Sequence, residues 1–289
     1  MTQAQANGIQ IEFETFGEAT NPAIVLISGW GAQLLFWSEG FCERLADRGL
    51  FVIRFDNRDV GLSSHLDHLG VPNVGAVRAG TEHPPYTLDD MAQDTVGLLD
   101  ALAIERAHIL GISIGGYIAQ LVAINHPDRV LSLISMASAV DGPEVVYAPR
   151  DEADLPQVPG LDSHDPVVRR VAEIEDMSSP AYFDRARVQA EVERARARSI
   201  APDGAERQAA AVHAMASRVE ALAKVKAPIL VLHGALDVAL PVENGTRTAA
   251  AAPGSTLVVY EDLNHDLPPP LWDRIVDDIV EHTEKSNPL

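Results

Sequence analysis

Ser113 stands in Gly111-Ile112-Ser113-Ile114-Gly115, a G-x-S-x-G pattern between an apolar run, Ala107–Leu110, and a helix-like stretch starting near Ile114. In that strand–turn–helix context the serine is lifted to the tip of a sharp turn, with the first N–H groups of the helix facing it. Gly111 and Gly115 stand where such a turn has no room for a side chain. A serine hydroxyl is a poor nucleophile at neutral pH, so it needs a base, and the base needs an orienting acid. Of the ten histidines, His265 is placed for the base, after the strand-like run Thr256–Tyr260 and before the last helix. His65, His68 and His83 sit in a polar loop, His126 precedes Pro127, His108 opens a strand and His233 ends one. The acid predicted is Asp237, in the loop after Ile229–His233, which must neighbour the loop of His265. Asp141, after the strand that follows the elbow, competes for the role. Ser28-Gly29-Trp30-Gly31 follows Ala23–Ile27, and its glycines let the Trp30 N–H approach the serine. With the Ile114 N–H it would form a pair of donors for a developing oxyanion. The Trp30 side chain has two equal destinations, pocket or core.

These residues need a scaffold, and the sequence supplies its rhythm. Ala23–Ile27, Phe51–Phe55, Ala107–Leu110 and Val130–Met136 read as strands, with helices over Leu34–Arg48, Leu88–Leu102 and Ile114–His126. Strands alternating with helices at this spacing imply crossover connections and a mostly parallel sheet. Gly8–Phe16 reads as an antiparallel edge strand before them. From Asp141 to about Val225 no strand pattern appears. Asp141–Pro166 reads as a long loop, and Ala181–Ser199 and Gly204–Val225 as helices. In the second of these Val212, Met215, Ala216, Val219 and Leu222 share one stripe. The alternation resumes with Ile229–His233, Val242–Ala251, Thr256–Tyr260 and Leu271–Glu284. The division expected is a core of residues 1–140 and 226–289 carrying a helical cap, or lid, of residues 141–225.

Acidic residues outnumber basic ones 42 to 22, for a net charge of −20. That balance argues against duplex nucleic acid and anionic membranes as partners, since both demand clustered Lys and Arg. No apolar run reaches the ~18–20 residues of a spanning helix, and residues 1–7 lack the pattern of a secretory signal. Cys42 is the single cysteine, so an intrachain disulfide is excluded, which fits a reducing, cytoplasmic setting. It reads as a small buried hydrophobe. No metal-ligand spacing, P-loop or dinucleotide fingerprint is present, so neither metal nor cofactor is expected. A homo-oligomer stays open. Arg54, Asp56, Arg58 and Asp59 read as a structural ion-pair and turn network. The arginines of 185–198 interleave with Glu191 and Glu193, as on a solvated helix.

The chain order Ser113, Asp237, His265 is that of α/β-hydrolases. The sequence resembles that superfamily along nearly its whole length, through Ser28–Gly31, Arg54–Ser64, Gly111–Gly116, His126–Val130 and His233–Pro241. Within it, Ala46–Ser64 and Ile104–Ser138 look like the aclacinomycin methylesterase group, small-molecule carboxylesterases acting on polyketides. The resemblance implies an α/β-hydrolase fold: a mostly parallel eight-stranded sheet flanked by helices, with a helical cap insertion. It also implies a cofactor-free serine hydrolase acting on a small-molecule ester. A carbon–carbon bond hydrolase, a lactonase, a perhydrolase and a slow-turnover ligand sensor would share the same parts. Two positions depart from the family pattern: Ser28 stands where His is common, and Asn264 where Gly usually precedes the histidine.

Overall fold

The computed structural model describes residues 2–142, 145–146 and 158–286. Its centre is an eight-stranded sheet in the order β1-β2-β4-β3-β5-β6-β7-β8. The strands are β1 (Thr2–Ala6), β2 (Ile9–Phe16), β3 (Ala23–Ile27), β4 (Phe51–Phe55), β5 (Ala107–Ile112), β6 (Val130–Met136), β7 (Ile229–Gly234) and β8 (Thr256–Tyr260). β1 and β2 pair antiparallel, and every pairing from β4 to β8 is parallel. The helices are α1 (Glu39–Asp47), α2 (Val74–Arg78), α3 (Leu88–Ala101), α4 (Ile114–Asn125), α5 (Pro166–Asp176), α6 (Arg185–Arg198), α7 (Pro202–His213), α8 (Val219–Leu222), α9 (Val242–Ala251) and α10 (Trp272–Ser286).

The central strands are apolar at consecutive positions because both faces of the sheet are covered. On β3, Val25 and Ile27 join a core with α3 and α4, while Ile24 and Leu26 join one with Phe41, Cys42 and Leu45 of α1 and Ile275 and Ile279 of α10. Cys42 is fully buried there, and burial pushes its thiol up to about 12, far from reactivity. Parallel strands carry their C-terminal ends to one edge, and the loops after β3, β5, β7 and β8 all leave from it. Among the described residues no helix is long and apolar enough to cross a membrane.

Several elements differ from the sequence reading. The edge strand is β1, not the Gly8–Phe16 run; β1 is held by its antiparallel ladder and leaves most side chains in solvent, so it lacks an apolar alternation. The helix expected over Leu34–Arg48 is a 3-10 turn at Leu34–Phe36 followed by α1, whose start is fixed by the Ser38 side chain accepting from Phe41 N. The Ala181–Ser199 helix begins only at Arg185, where Asp184 caps α6. The helix over Gly204–Val225 is broken into α7 and α8, so its apolar stripe is not one helical face. The break follows from Arg218, whose N–H donates to Val140 O at 3.0 Å. Its buried guanidinium donates to Gln120 Oε1 at 2.9 Å and Ala139 O at 3.0 Å. Helix α5 was not expected, although Asp165 before Pro166 is an N-terminal signal: its carboxylate accepts from Val167 and Val168 N–H. Half of the loop expected over Asp141–Pro166 lies outside the described residues.

Candidate active site

Ser113 is the residue between β5 and α4, with φ +56° and ψ −123°. A non-glycine residue rarely holds positive φ, and the surroundings enforce it here. A side chain on Gly111 would stand 1.9 Å from Gly115 O, and one on Gly115 would stand 2.2 Å from Ile27 O. Only glycine fits at either place. Ser113 N donates to Met136 O at 3.0 Å, and Ser138 Oγ donates to Ser113 O at 2.8 Å. The elbow is thus pinned to the end of β6 on both sides of the serine. Ile114, as the first residue of α4, has an N–H without an intrahelical acceptor.

The loop after β3 lies against this elbow. A Cβ on Gly29 would stand 3.4 Å from Ser113 Cβ and 4.0 Å from its Oγ. Trp30 follows, and of the two destinations read from sequence its side chain does not take the core. It is 49% exposed, and its indole N–H donates to Ala205 O on α7 at 2.7 Å. Gly31, at φ +62°, donates its N–H to Gln208 Oε1 on the same helix at 2.9 Å. Gln208 is fully buried and also donates from Nε2 to Arg58 O at 3.0 Å. Ser28 Oγ is buried with no partner among the described residues, and Ser28 O accepts from Asn57 Nδ2 at 3.2 Å.

His265 and Asp237 meet across the loops after β8 and β7, with Nδ1 and Oδ2 2.8 Å apart. A carboxylate can only accept, so Nδ1 carries the proton and Nε2 of a neutral ring keeps its lone pair. Asp237 is buried, and its Oδ1 accepts from Ala239 N at 2.9 Å and Leu240 N at 2.7 Å. The two loops are brought together at Gly234, where any Cβ would stand 2.2 Å from Leu263 O. His233 lies behind the acid, with Nε2 3.5 Å from Asp237 Oδ2 and 2.7 Å from Leu240 O. Burial pushes its pKa down, which keeps it neutral. The rival acid Asp141 instead pairs with Arg247 Nε on α9 at 3.0 Å. Ser113 and His265 are not joined by a hydrogen bond among the described residues; they share the C-terminal edge of the sheet. An open depression at the other end of the strands, lined by Asn21, Pro22, Phe51 and Ala103, has no part in this arrangement.

Asn264, missed by the sequence reading as anything but a departure from pattern, is a junction. Its Oδ1 accepts from Val238 N and from His265 N, each at 2.9 Å, and its Nδ2 donates to Ser178 O at 3.1 Å. The polar residues at the end of β4 and just after it form an ion-pair network, as expected. Arg58 forks onto Asp94 at 2.6 and 2.7 Å, and Arg54 pairs with Glu14 and Glu39. Asp59 binds Arg207 of α7 through two bonds of 2.8 Å. Among the described residues no group of His, Cys, Asp or Glu is assembled that could hold a metal ion.

A family model described as the alpha/beta hydrolase fold matches residues 22–268. The chain is 30% identical to rhodomycin D methylesterase DauP of Streptomyces sp. (strain C5), over 93% of each chain. It is 28% identical to 3-oxoadipate enol-lactonase 2 of Acinetobacter baylyi, over 89% of this chain and 86% of that one. Among solved structures, the enol-lactonase from Burkholderia xenovorans LB400 superposes with a TM-score of 0.76 at 23% identity, covering 98% of this chain and all of the other. That last likeness concerns the fold.

Proposed function

The chain belongs to the alpha/beta hydrolase fold family, and from that premise we propose that it hydrolyses carboxylic esters of small, largely apolar molecules through an acyl-enzyme on Ser113. The observation that carries the reading is the 2.8 Å bond from His265 Nδ1 to Asp237, made at the sheet edge that also carries the serine elbow. In the mechanism proposed, Ser113 Oγ attacks the ester carbonyl and His265 Nε2 takes its proton. Asp237 stabilises the imidazolium. The N–H groups of Trp30 and Ile114 receive the oxyanion, a contribution of roughly 3–4 kcal/mol per donor in such sites. His265 then returns the proton to the leaving alkoxide and activates water to release the acid. The missing serine–histidine bond is compatible with this, since such bonds often tighten only with substrate.

An apolar, neutral substrate is favoured by how the arginines of α6 are used. Arg185 pairs with Glu175, Arg187 with Glu191 and Arg194 with Glu39, so each has a carboxylate already. A free carboxylate entering the site would lose its hydration without gaining a partner from these three. The methylesterase relative supports a methyl ester. The enol-lactonase relative supports a second reading, a lactone, which is an ester closed on itself and open to the same attack. Residues 141–225 act in this proposal as the cap over the site.

A panel of esters varied separately in acyl and alcohol parts, with lactones included, tests the assignment. Wild-type protein should turn over many equivalents of a neutral alkyl ester. Ser113→Ala should lower kcat by about 10^4-fold or more with an unchanged melting profile. A Ser113→Ala protein that still cycles would remove the serine from the mechanism. A preference for a half-ester bearing a free carboxylate, weakening with salt, would overturn the neutral-substrate part alone.

A further inference from the structure

The loop that carries His265 is fastened to the helical insertion at three successive residues. Asn264 N donates to Ser179 Oγ at 2.9 Å and Asn264 Nδ2 donates to Ser178 O at 3.1 Å. His265 N donates to Met177 O at 3.1 Å. On the other side, Asp266 accepts from Ser179 N at 3.0 Å and from Ser179 Oγ at 2.6 Å. The Ser179 hydroxyl therefore accepts from the residue before the histidine and donates to the residue after it. It is fully buried, so no water competes for either bond. Ser178 Oγ in turn donates to Ile174 O at 2.7 Å, the end of α5, which ties this short segment to a helix. Tyr182 OH adds a bond to Asp262 in the same loop.

From this geometry we infer that Ser179 is a positioning residue for His265: the insertion sets the imidazole's place, and is not only a roof over the substrate. A loop ordinarily holds a histidine by its own backbone. Here the Asn264 N–H before the ring and the Asp266 carboxylate after it both hang on one hydroxyl, contributed 85 residues before Asn264 in the chain. The inference explains why residue 264 is Asn in this chain. A glycine there could not join Val238 of the acid loop, His265 and Ser178 through one amide.

This inference rests on the proposed role of His265, and the test separates the two. kcat and KM for 4-nitrophenyl butyrate are measured for the wild type, Ser113→Ala, Ser179→Ala and Asp266→Ala, with melting curves on each. Ser179→Ala and Asp266→Ala, which cut the same link from opposite ends, should each lose roughly 10- to 100-fold in kcat, the scale of a misplacement of about 1 Å. KM should stay within about twofold, because substrate binding does not pass through this link. If either folded variant keeps wild-type kcat, or loses only in KM, the positioning role is wrong while the serine mechanism stands. If Ser113→Ala keeps its activity, both fall. Hydrogen exchange on the wild type gives a reading that needs no variant: the His265 amide, held by Met177 O, should exchange as slowly as amides of the central strands. Fast exchange there would overturn the inference by itself.

Discussion

Asp237 is served from several directions, and each contact has a separate consequence. Two backbone N–H groups fix one oxygen and His265 holds the other. Asp237→Asn leaves the shape in place but presents an amide that can donate to Nδ1, which selects the wrong ring tautomer. In steady-state assays kcat should fall by about 10^3- to 10^4-fold. Asp141→Asn removes a pairing with Arg247 and should leave kcat near wild type; equal losses would move the acid to residue 141. His233 behaves differently. Its Nε2–H is committed to Leu240 O, and Gly245 leaves no room beside the ring: a Cβ there would stand 2.6 Å from Nδ1. Burial lowers its pKa, so the folded chain holds it neutral. The stability tied to the neutral ring is fully present above the unfolded value of about 6.5 and is lost as pH falls through the lower folded value. His233→Gln removes that titration. Its melting temperature should therefore fall less than the wild type's between pH 7 and pH 5. Parallel curves would detach His233 from the acid limb.

Helix α7 illustrates what sequence conveys about an element and what it does not. A helix starting near Gly204 was expected, but its apolar stripe, Val212 to Leu222, lies almost wholly beyond the end of α7; the strand–turn–helix around Ser113 was legible as it stands. The candidate serine, base and acid were legible too, because each sits at a strand end whose local pattern is strong. The break after His213 was not legible: Arg218 leaves the helix to satisfy Val140, Ala139 and Gln120, partners from other parts of the chain. Nor was the work of Gln208, which reaches Gly31 across 177 residues and has no local signature. β1 was missed for the opposite reason, since an edge strand held by backbone pairing needs no apolar pattern. Because Gln208 and Ala205 hold the loop of the proposed oxyanion donor Trp30, Gln208→Ala should lower kcat by roughly tenfold. KM should change little, because the lost contact steadies the proposed oxyanion donor. Progress curves on a neutral ester check this, and a kcat equal to the wild type would free the oxyanion loop from α7.

On the scale of the whole molecule, the insertion is bolted down at widely separated points. Arg207 and Asp59 are both buried and form a two-pronged pair, and Gly204 packs so tightly on Asp59 that a Cβ would stand 2.0 Å from its carbonyl. Arg218 ties the exit of the insertion to its entry, and burial pulls its guanidinium down to about 10. Removing one member of a buried pair strands the other charge. Arg207→Met should therefore cost about 3–5 kcal/mol in urea unfolding and open the 202–213 region to protease before the rest of the chain. Unfolding at the wild-type midpoint would show that the pair is not what holds the insertion. The order of the strands also governs when the parts come together during synthesis. The elbow is complete once β5, α4 and β6 have left the ribosome. β8, which carries the histidine loop, is an outermost strand and, among the described residues, pairs only with β7. At about 5–20 residues per second, the growing chain carries a formed serine turn without its proposed proton acceptor for on the order of ten seconds. A stalled or C-terminally clipped polypeptide stays in that condition for good, so on the mechanism proposed an unfinished copy should not turn over esters.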